Sequence, residues 1–319
     1  MKPLVDSLAA MTVACPDPRG LESLLADVWG WERIAEGPVD AALEKLWGIA
    51  PGSAGERYAV MCSPGMNRGM VRVVAGPERN RQRQRAARWG GFEIVVMHDI
   101  DDIYEAMAAR PDCKPFGPPE NYDFTHADSN IHRAVSIRLA GGTHVTMTMA
   151  VTQPKGRAFH SSVAQVGHIF EVPITSPDYP RCRAFYEKTL GMIPVLETAS
   201  TDGPMHAAWN IPAGSEYRLD ILKGDAPGAG IGSIEIHGTE AAYIDPDPVD
   251  ARHLDGGACM TTLTTRDLDA VYAAVKAAPD ATVVSEPTAV AAAPYNGARA
   301  FVCRGPDGEP LEFCEAMWA

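Results

Sequence analysis

Three side chains stand out as able to do chemistry: His168 in VGHIFEV, Glu235 in IEIHG and Glu312 in PLEFCE. An imidazole and two carboxylates are the donors that divalent first-row ions favour, and an ion with open positions can polarise a substrate oxygen. What makes them notable is that the chain repeats itself imperfectly and none of the three recurs. Cys15-Pro16-Asp17 and Gly30 return as Ser176-Pro177-Asp178 and Gly191, and Trp47, Ile49, Gly52 and Ser53 as Trp209, Ile211, Gly214 and Ser215. Asp99, Asp101, Tyr104, Pro111 and Asp112 correspond to Asp267, Asp269, Tyr272, Pro279 and Asp280. In that register His168 faces Ser7, Glu235 faces Arg72, Glu312 faces Thr146, and Phe92 faces Met260. One metal site, in the C-terminal half, is the expectation. Arg72 would repel a cation in the N-terminal copy, which is expected to be a structural relic.

The elements that must hold these groups follow from the repeat. Each half reads as two units of strand, helix and three strands. In the third unit Gln165–Val172 alternates as a strand, and Pro177–Leu190 reads as a helix capped by Gly191. Strands are expected at Ile193–Thr198, His206–Ile211, Tyr217–Lys223 and Ser233–His237. The fourth unit has a strand near Cys259–Thr265, a helix from Asp267 to about Ala278, and strands at Ala298–Arg304 and Pro310–Glu315 around the turn Gly305–Gly308. The division expected is a degenerate paired domain over 1–150, a linker over 151–162 and a second paired domain over 163–319. Pro111–Asn130, Tyr243–Gly257 and Pro287–Gly297 read as long irregular loops, the last two bordering the pocket.

Bulk properties narrow the field. The chain has 319 residues, 46% hydrophobic and 22% charged, as in an ordinary globular protein of two domains. A net charge of −13 argues against nucleic acid or an anionic membrane as partner. The five arginines at 79, 81, 83, 85 and 88 lack interleaved aromatic residues and read as a solvated segment. Neither a signal-like start nor an apolar run of about 18 residues is present, and seven dispersed cysteines suggest reduced thiols, so the expected location is the cytoplasm. Cys303 and Cys314 read as small core residues.

The chain resembles the vicinal-oxygen-chelate superfamily of glyoxalase I, extradiol dioxygenases and antibiotic-resistance binding proteins. The resemblance rests on Gly167–Val172, on Arg183–Glu187 with Leu190-Gly191, and on Gly305-Pro306-Asp307-Gly308 with Leu311-Glu312-Phe313. It implies an α+β fold, four βαβββ units forming two half-open barrel domains as in glyoxalases and dioxygenases, with ligands on the first and last strands of each unit. By this resemblance His168, Glu235 and Glu312 would bind one divalent ion (Fe, Mn, Zn or Ni). The fourth position falls on Met260, a poor ligand for hard ions, and His237 could supply a nitrogen instead because it shares a strand face with Glu235.

The implied function is a metal-dependent lyase or isomerase acting on a small oxygenated molecule, aromatic ones included, chelated to the ion. Glu235, Glu312 and Tyr295 would be catalytic; His206, Trp209 and Arg299, with Asp220, would line the pocket. One alternative is extradiol ring cleavage, weakened because Met260 replaces the second histidine and Val302 the tyrosine ten residues before the last ligand. The other is a metal-free small-molecule binding or resistance protein. A homodimer contact through the N-terminal half is also an expectation.

Overall fold

The computed structural model describes residues 2–78, 84–85, 89–127, 129–153, 161–201, 206, 208–209, 211–212, 214–225, 234–238, 244–245, 254 and 256–315. Most of the arginine run 79–88, of the linker 151–162 and of the loop 243–257 lies outside them.

Four units follow one another along the chain. The first comprises β1 (Ser7–Cys15), α1 (Pro18–Asp27), β2 (Glu32–Pro38), α2 (Ala41–Trp47), β3 (Arg57–Cys62) and β4 (Met70–Ala75). After a two-residue β5 (Gln84–Arg85) the second has β6 (Phe92–Val96), α3 (Ile100–Ala108), β7 (Cys113–Pro115), β8 (Glu120–Asp123), β9 (Ile131–Leu139) and β10 (His144–Ala150). The third has β11 (Val166–Ser176), α4 (Tyr179–Ala184), a π turn over Phe185–Thr189, β12 (Ile193–Ser200), β13 (Tyr217–Lys223) and β14 (Ile234–Gly238). A short β15 (Ile244–Asp245) pairs with β5. The fourth has β16 (Gly257–Thr264), a helix over Leu268–Ala277, β17 (Thr282–Val283), β18 (Thr288–Ala289), β19 (Arg299–Arg304) and β20 (Pro310–Cys314).

The repeated dipeptides have local explanations. Asp17, Asp178 and Asp267 are helix N-caps whose carboxylates accept from Gly20, Arg181 and Ala270 backbone N–H groups. Gly30 and Gly191 take φ of +70° and +69°, the left-handed region that ends the turn after each helix. Two expectations change. His206 and Ala208 are helical rather than in a strand, as is the matching Trp47 at the end of α2. The stretch 111–130 is not irregular either, since it contributes β7 and β8.

The larger correction concerns which units pair. One sheet runs β17-β19-β20-β16-β1-β4-β3-β2, with β18 on β19, and so joins unit four to unit one. The other runs β12-β13-β14-β11-β6-β10-β9-β7, with β8 on β9, and joins unit three to unit two. The sheets therefore cross the boundary expected near residue 150. The seams are antiparallel pairs of first strands, β1 with β16 and β11 with β6. Each unit offers a free edge on its first strand, and any other unit's first strand can cover it, because the repeats present similar backbone edges.

Strand alternation sorts the side chains. Val71, Val73, Ile94, Val145, Met147, Ile234, Ile236, Leu311 and Phe313 point to one core that also takes Leu21, Leu24 and Leu25 of α1 and Leu268, Val271 and Val275 of the last helix. The opposite faces of the two sheets hold Arg72 and Glu312 on one, and Glu93 and Glu235 on the other. All seven cysteines are buried thiols. No helix of the described residues is long and apolar enough to cross a membrane.

Candidate functional site

The far faces of the two sheets differ in chemistry. In the sheet of units one and four, Arg72 and Glu312 form a buried ion pair with Nη2 2.6 Å from Oε2 and side-chain exposures of 1% and 0%. Glu312 also accepts from Trp47 Nε1 at 3.1 Å, Tyr295 Oη at 2.6 Å and Thr262 Oγ1 at 2.7 Å. The Arg72 guanidinium lies 5.2 Å from the centroid of the Trp47 ring and 5.5 Å from that of Tyr295. Burial pushes the Glu312 carboxyl upward, but the Arg72 charge and these donors hold it below its ordinary range. Burial likewise pushes the Tyr295 phenol well up. Around them Tyr58, Val60, Met70, Cys259, Met260, Val302 and Leu43 and Leu46 of α2 fill the face. An internal cation thus occupies the ground between these strands, and Glu312 and Tyr295 are committed to it.

The sheet of units two and three is built differently. Glu93 on β6, Glu171 on β11 and Glu235 on β14 place one oxygen each within 4.8 Å of one another, all buried. The register brings them together: Glu171 lies opposite Glu93, and Glu235 pairs with Pro173 on the same β11. A β-bulge between Ile169 and Glu171 sets two residues of β11 against one of β6, which re-aims the strand at the site. In the register of the repeat, Glu171, Glu235 and Thr146 stand where Ala10, Arg72 and Glu312 stand in the other sheet.

Like charges in a dry setting resist ionisation. Burial, then the Glu235 charge and its hydrogen bond, raise the Glu93 carboxyl well above 4.5, while Thr148 lowers it. Burial raises Glu235 to about 7. Its Oε2 is buried and finds no donor among the described residues, because a neighbouring carboxyl can donate only when protonated. His237 Nε2 stands 2.8 Å from Glu235 Oε1, and burial lowers this imidazole to about 3, so the ring is neutral. Trp209 packs on that ring with centroids 4.9 Å apart, and its buried indole N–H meets no acceptor among the described residues. Phe116 lies against His144 on the neighbouring β10, centroids 5.2 Å apart.

The residues expected from sequence are therefore divided. Glu235 is in the carboxylate cluster and His237 and Trp209 adjoin it. His168, three residues before Glu171, lies outside the cluster; it is buried beside Gly69 near Arg68, and burial lowers it to about 4. Glu312 and Tyr295 belong to the other sheet, and Met260 is a core residue there. His206 Nε2 is 2.9 Å from the Ser215 carbonyl oxygen. Arg299 is a surface residue paired with Asp269 and Glu315. Asp220 faces the helix side, against Tyr179 and Arg183. Of the N-terminal equivalents, Phe92 is core, Ser7 bonds Thr264, and Thr146 bonds Ser136 at 3.0 Å on the acidic face. Sequence reasoning missed Glu93 and Glu171, although GFEIVV and GHIFEV carry the same Phe-Glu signal on the two first strands that meet.

Residues 165–313 match the sequence model of the Glyoxalase/Bleomycin resistance protein/Dioxygenase superfamily. That stretch belongs to the superfamily. The whole chain shares its fold, the α+β arrangement expected. Glyoxalase I from Zea mays is similar at a TM-score of 0.63 and 15% identity, over 97% of this chain and 92% of that one. A putative dioxygenase from Bacillus subtilis gives 0.63 at 10% identity, over 99% and 86%. At these identities the likeness to each solved structure speaks for fold alone. No curated protein matches the sequence significantly.

Proposed function

We propose that this superfamily member is a divalent-metal-dependent enzyme of lyase or isomerase type acting on a small oxygenated substrate, with the ion held by Glu93, Glu171 and Glu235. The observation that carries the reading is the burial of three carboxylates from three strands within 4.8 Å. Three buried acids need either protons or a cation, and an all-oxygen set of this kind suits a divalent ion. The raised Glu93 and Glu235 carboxyls and the partnerless Glu235 Oε2 fit a site built around a cation.

A bound ion would polarise a carbonyl or enolate oxygen of the substrate. The oxygen of Glu235 that does not hold the ion is suited to take a proton from the carbon beside that carbonyl and to return it. The Trp209 N–H offers a donor for a second substrate oxygen. His144 and Phe116 would wall the site on the β10 side. Ring cleavage by O₂ fits less well, since oxygen-activating iron sites pair two imidazoles with one carboxylate and this cluster is carboxylates alone.

The test is elemental analysis of the protein as isolated, with Mn²⁺, Zn²⁺, Ni²⁺ and Fe²⁺ titrations of the stripped protein. One equivalent of metal, lost in E93Q, E171Q and E235Q but kept in H168A and E312Q, is expected. A stripped protein that takes up none of these ions would instead leave a metal-free binding protein. Screening small α-oxygenated carbonyl compounds without air tests the reaction class, and a strict need for O₂ would overturn it.

A further inference from the structure

We propose that the substrate carries a carboxylate, which takes in the acidic sheet the place that Glu312 fills in the other sheet and accepts a hydrogen bond from Trp209; this rests on the metal reading above. The backbone presents Trp47 and Trp209 alike. Ile49 and Ser53 N–H groups donate to the Glu44 and Ala50 carbonyls, and Ile211 and Ser215 N–H groups to those of His206 and Pro212, at the same spacing around each tryptophan. Both rings are buried. Trp47 Nε1 donates to Glu312 at 3.1 Å, whereas Trp209 Nε1 meets no acceptor among the described residues. Strand pairing accounts for the difference. Glu312 stands opposite Thr262 and Val302, and Thr146 stands opposite Glu93 and Ser136 in the same pattern, so a threonine occupies the position of the missing acid. Its hydroxyl lies 3.0 Å from that of Ser136, and its side chain is too short to extend as a glutamate does. The cluster of Ala208, Trp209 and Ile211 packs against Phe116, which lies 5.2 Å from His144, two residues before Thr146 on the same strand face. His144 Nε2 is likewise buried without a partner among the described residues. Buried polar groups left unpaired are costly, and a ligand carboxylate offers the acceptor that is missing here. In the other sheet Arg72 neutralises Glu312 at 2.6 Å. Glu235 replaces Arg72 in the acidic sheet, so an incoming carboxylate needs the bound ion as its counter-charge. The ligand class is a small acid with an oxygen on the carbon next to its carboxylate, one group for Trp209 and the other for the ion.

The test is calorimetric titration of the Mn²⁺-loaded protein with pyruvate and with its neutral amide, pyruvamide. Electron paramagnetic resonance follows Mn²⁺ affinity, and thermal melting checks folding. The parent should bind pyruvate about tenfold or more tightly than pyruvamide, because a charged acceptor makes the stronger hydrogen bond. The stripped protein should bind neither. W209F keeps an aromatic ring but loses the N–H. It should hold Mn²⁺ as the parent does and bind pyruvate about 10–100-fold more weakly, the loss expected for one hydrogen bond to a charged group. T146E puts a carboxylate of the chain itself in the proposed place and should remove pyruvate binding; it carries the test if W209F does not fold. Parent-like pyruvate affinity in folded W209F or T146E would overturn the proposal. So would a Mn²⁺-loaded parent that binds the amide as well as the acid, or binds neither. A parent that takes up no Mn²⁺ would instead overturn the metal reading on which the proposal stands.

Discussion

Replacing Arg72 by Met tests the division of labour between the two sheets. The substitution removes the charge while keeping most of the side chain's length and apolar contact with Trp47 and Tyr295. It leaves Glu312 fully buried with three neutral donors, Trp47, Tyr295 and Thr262. Breaking one side of a buried ion pair costs about 3–5 kcal/mol, most of it the expense of an unpaired buried charge. At about 2–4 °C per kcal/mol, the melting temperature should fall by roughly 10 °C. The cost should shrink at acid pH, where the stranded carboxylate can take a proton. R72M/E312Q should recover most of the loss, because replacing both partners removes the charge that was left behind. Thermal and urea melts of the four proteins at pH 8 form the double-mutant cycle, which should show coupling of about 2–3 kcal/mol. Metal content should be unchanged throughout. An R72M protein within about 1 kcal/mol of the parent, or an E312Q protein that loses bound metal, would refute the reasoning.

Three further outcomes are expected. In the stripped protein E93Q should raise the melting temperature at pH 8 relative to pH 5: the folded-state pKa values of Glu93 and Glu235 lie above 4.5, so their cost appears as pH rises through that window; an equal or opposite change at pH 8 would contradict it. Glu309 behaves the same way away from the site. It is buried under the β19–β20 turn and accepts from Tyr186 Oη at 2.6 Å, and burial raises it from 4.5 to about 7, so charging it costs about 3 kcal/mol that is absent below pH 4.5 and complete above pH 7. E309Q should therefore gain on the parent between pH 5 and pH 8 in thermal melts, and a pH-independent difference would count against it. Gly69 has φ of +59° and a Cβ there would strike the Ile169 carbonyl, so G69A should cost about 1–3 kcal/mol in urea melts, whereas a parent-like midpoint would show that the contact between units one and three is soft.

How much of this was legible beforehand varies by scale. The Asp17, Asp178 and Asp267 caps, the left-handed Gly30 and Gly191 and the alternating strands are local, and short-range geometry dictates them. Glu235 could be picked out because its neighbours Ile234 and Ile236 must face a core and so turn it the other way. His168 lies outside the carboxylate cluster that Glu171 of the same strand joins, and a bulge between Ile169 and Glu171 changes the count of residues across the seam; nothing in a periodic pattern marks that extra residue. His206–Ile211 misled because a short apolar run fits strand and helix alike.

The sequence by itself determined that four similar units exist, where each begins and which residues of each strand leave the helix-covered core. Tertiary structure alone decided that unit one joins unit four and unit two joins unit three. That choice sends Glu312 to Arg72 and gathers Glu93, Glu171 and Glu235 instead. The physical reason is that the repeated units carry nearly interchangeable first-strand edges, so backbone hydrogen bonding has no preference among partners. Only the side chains meeting across a seam, a cation and an anion on one sheet and three acids on the other, set the chemistry that results.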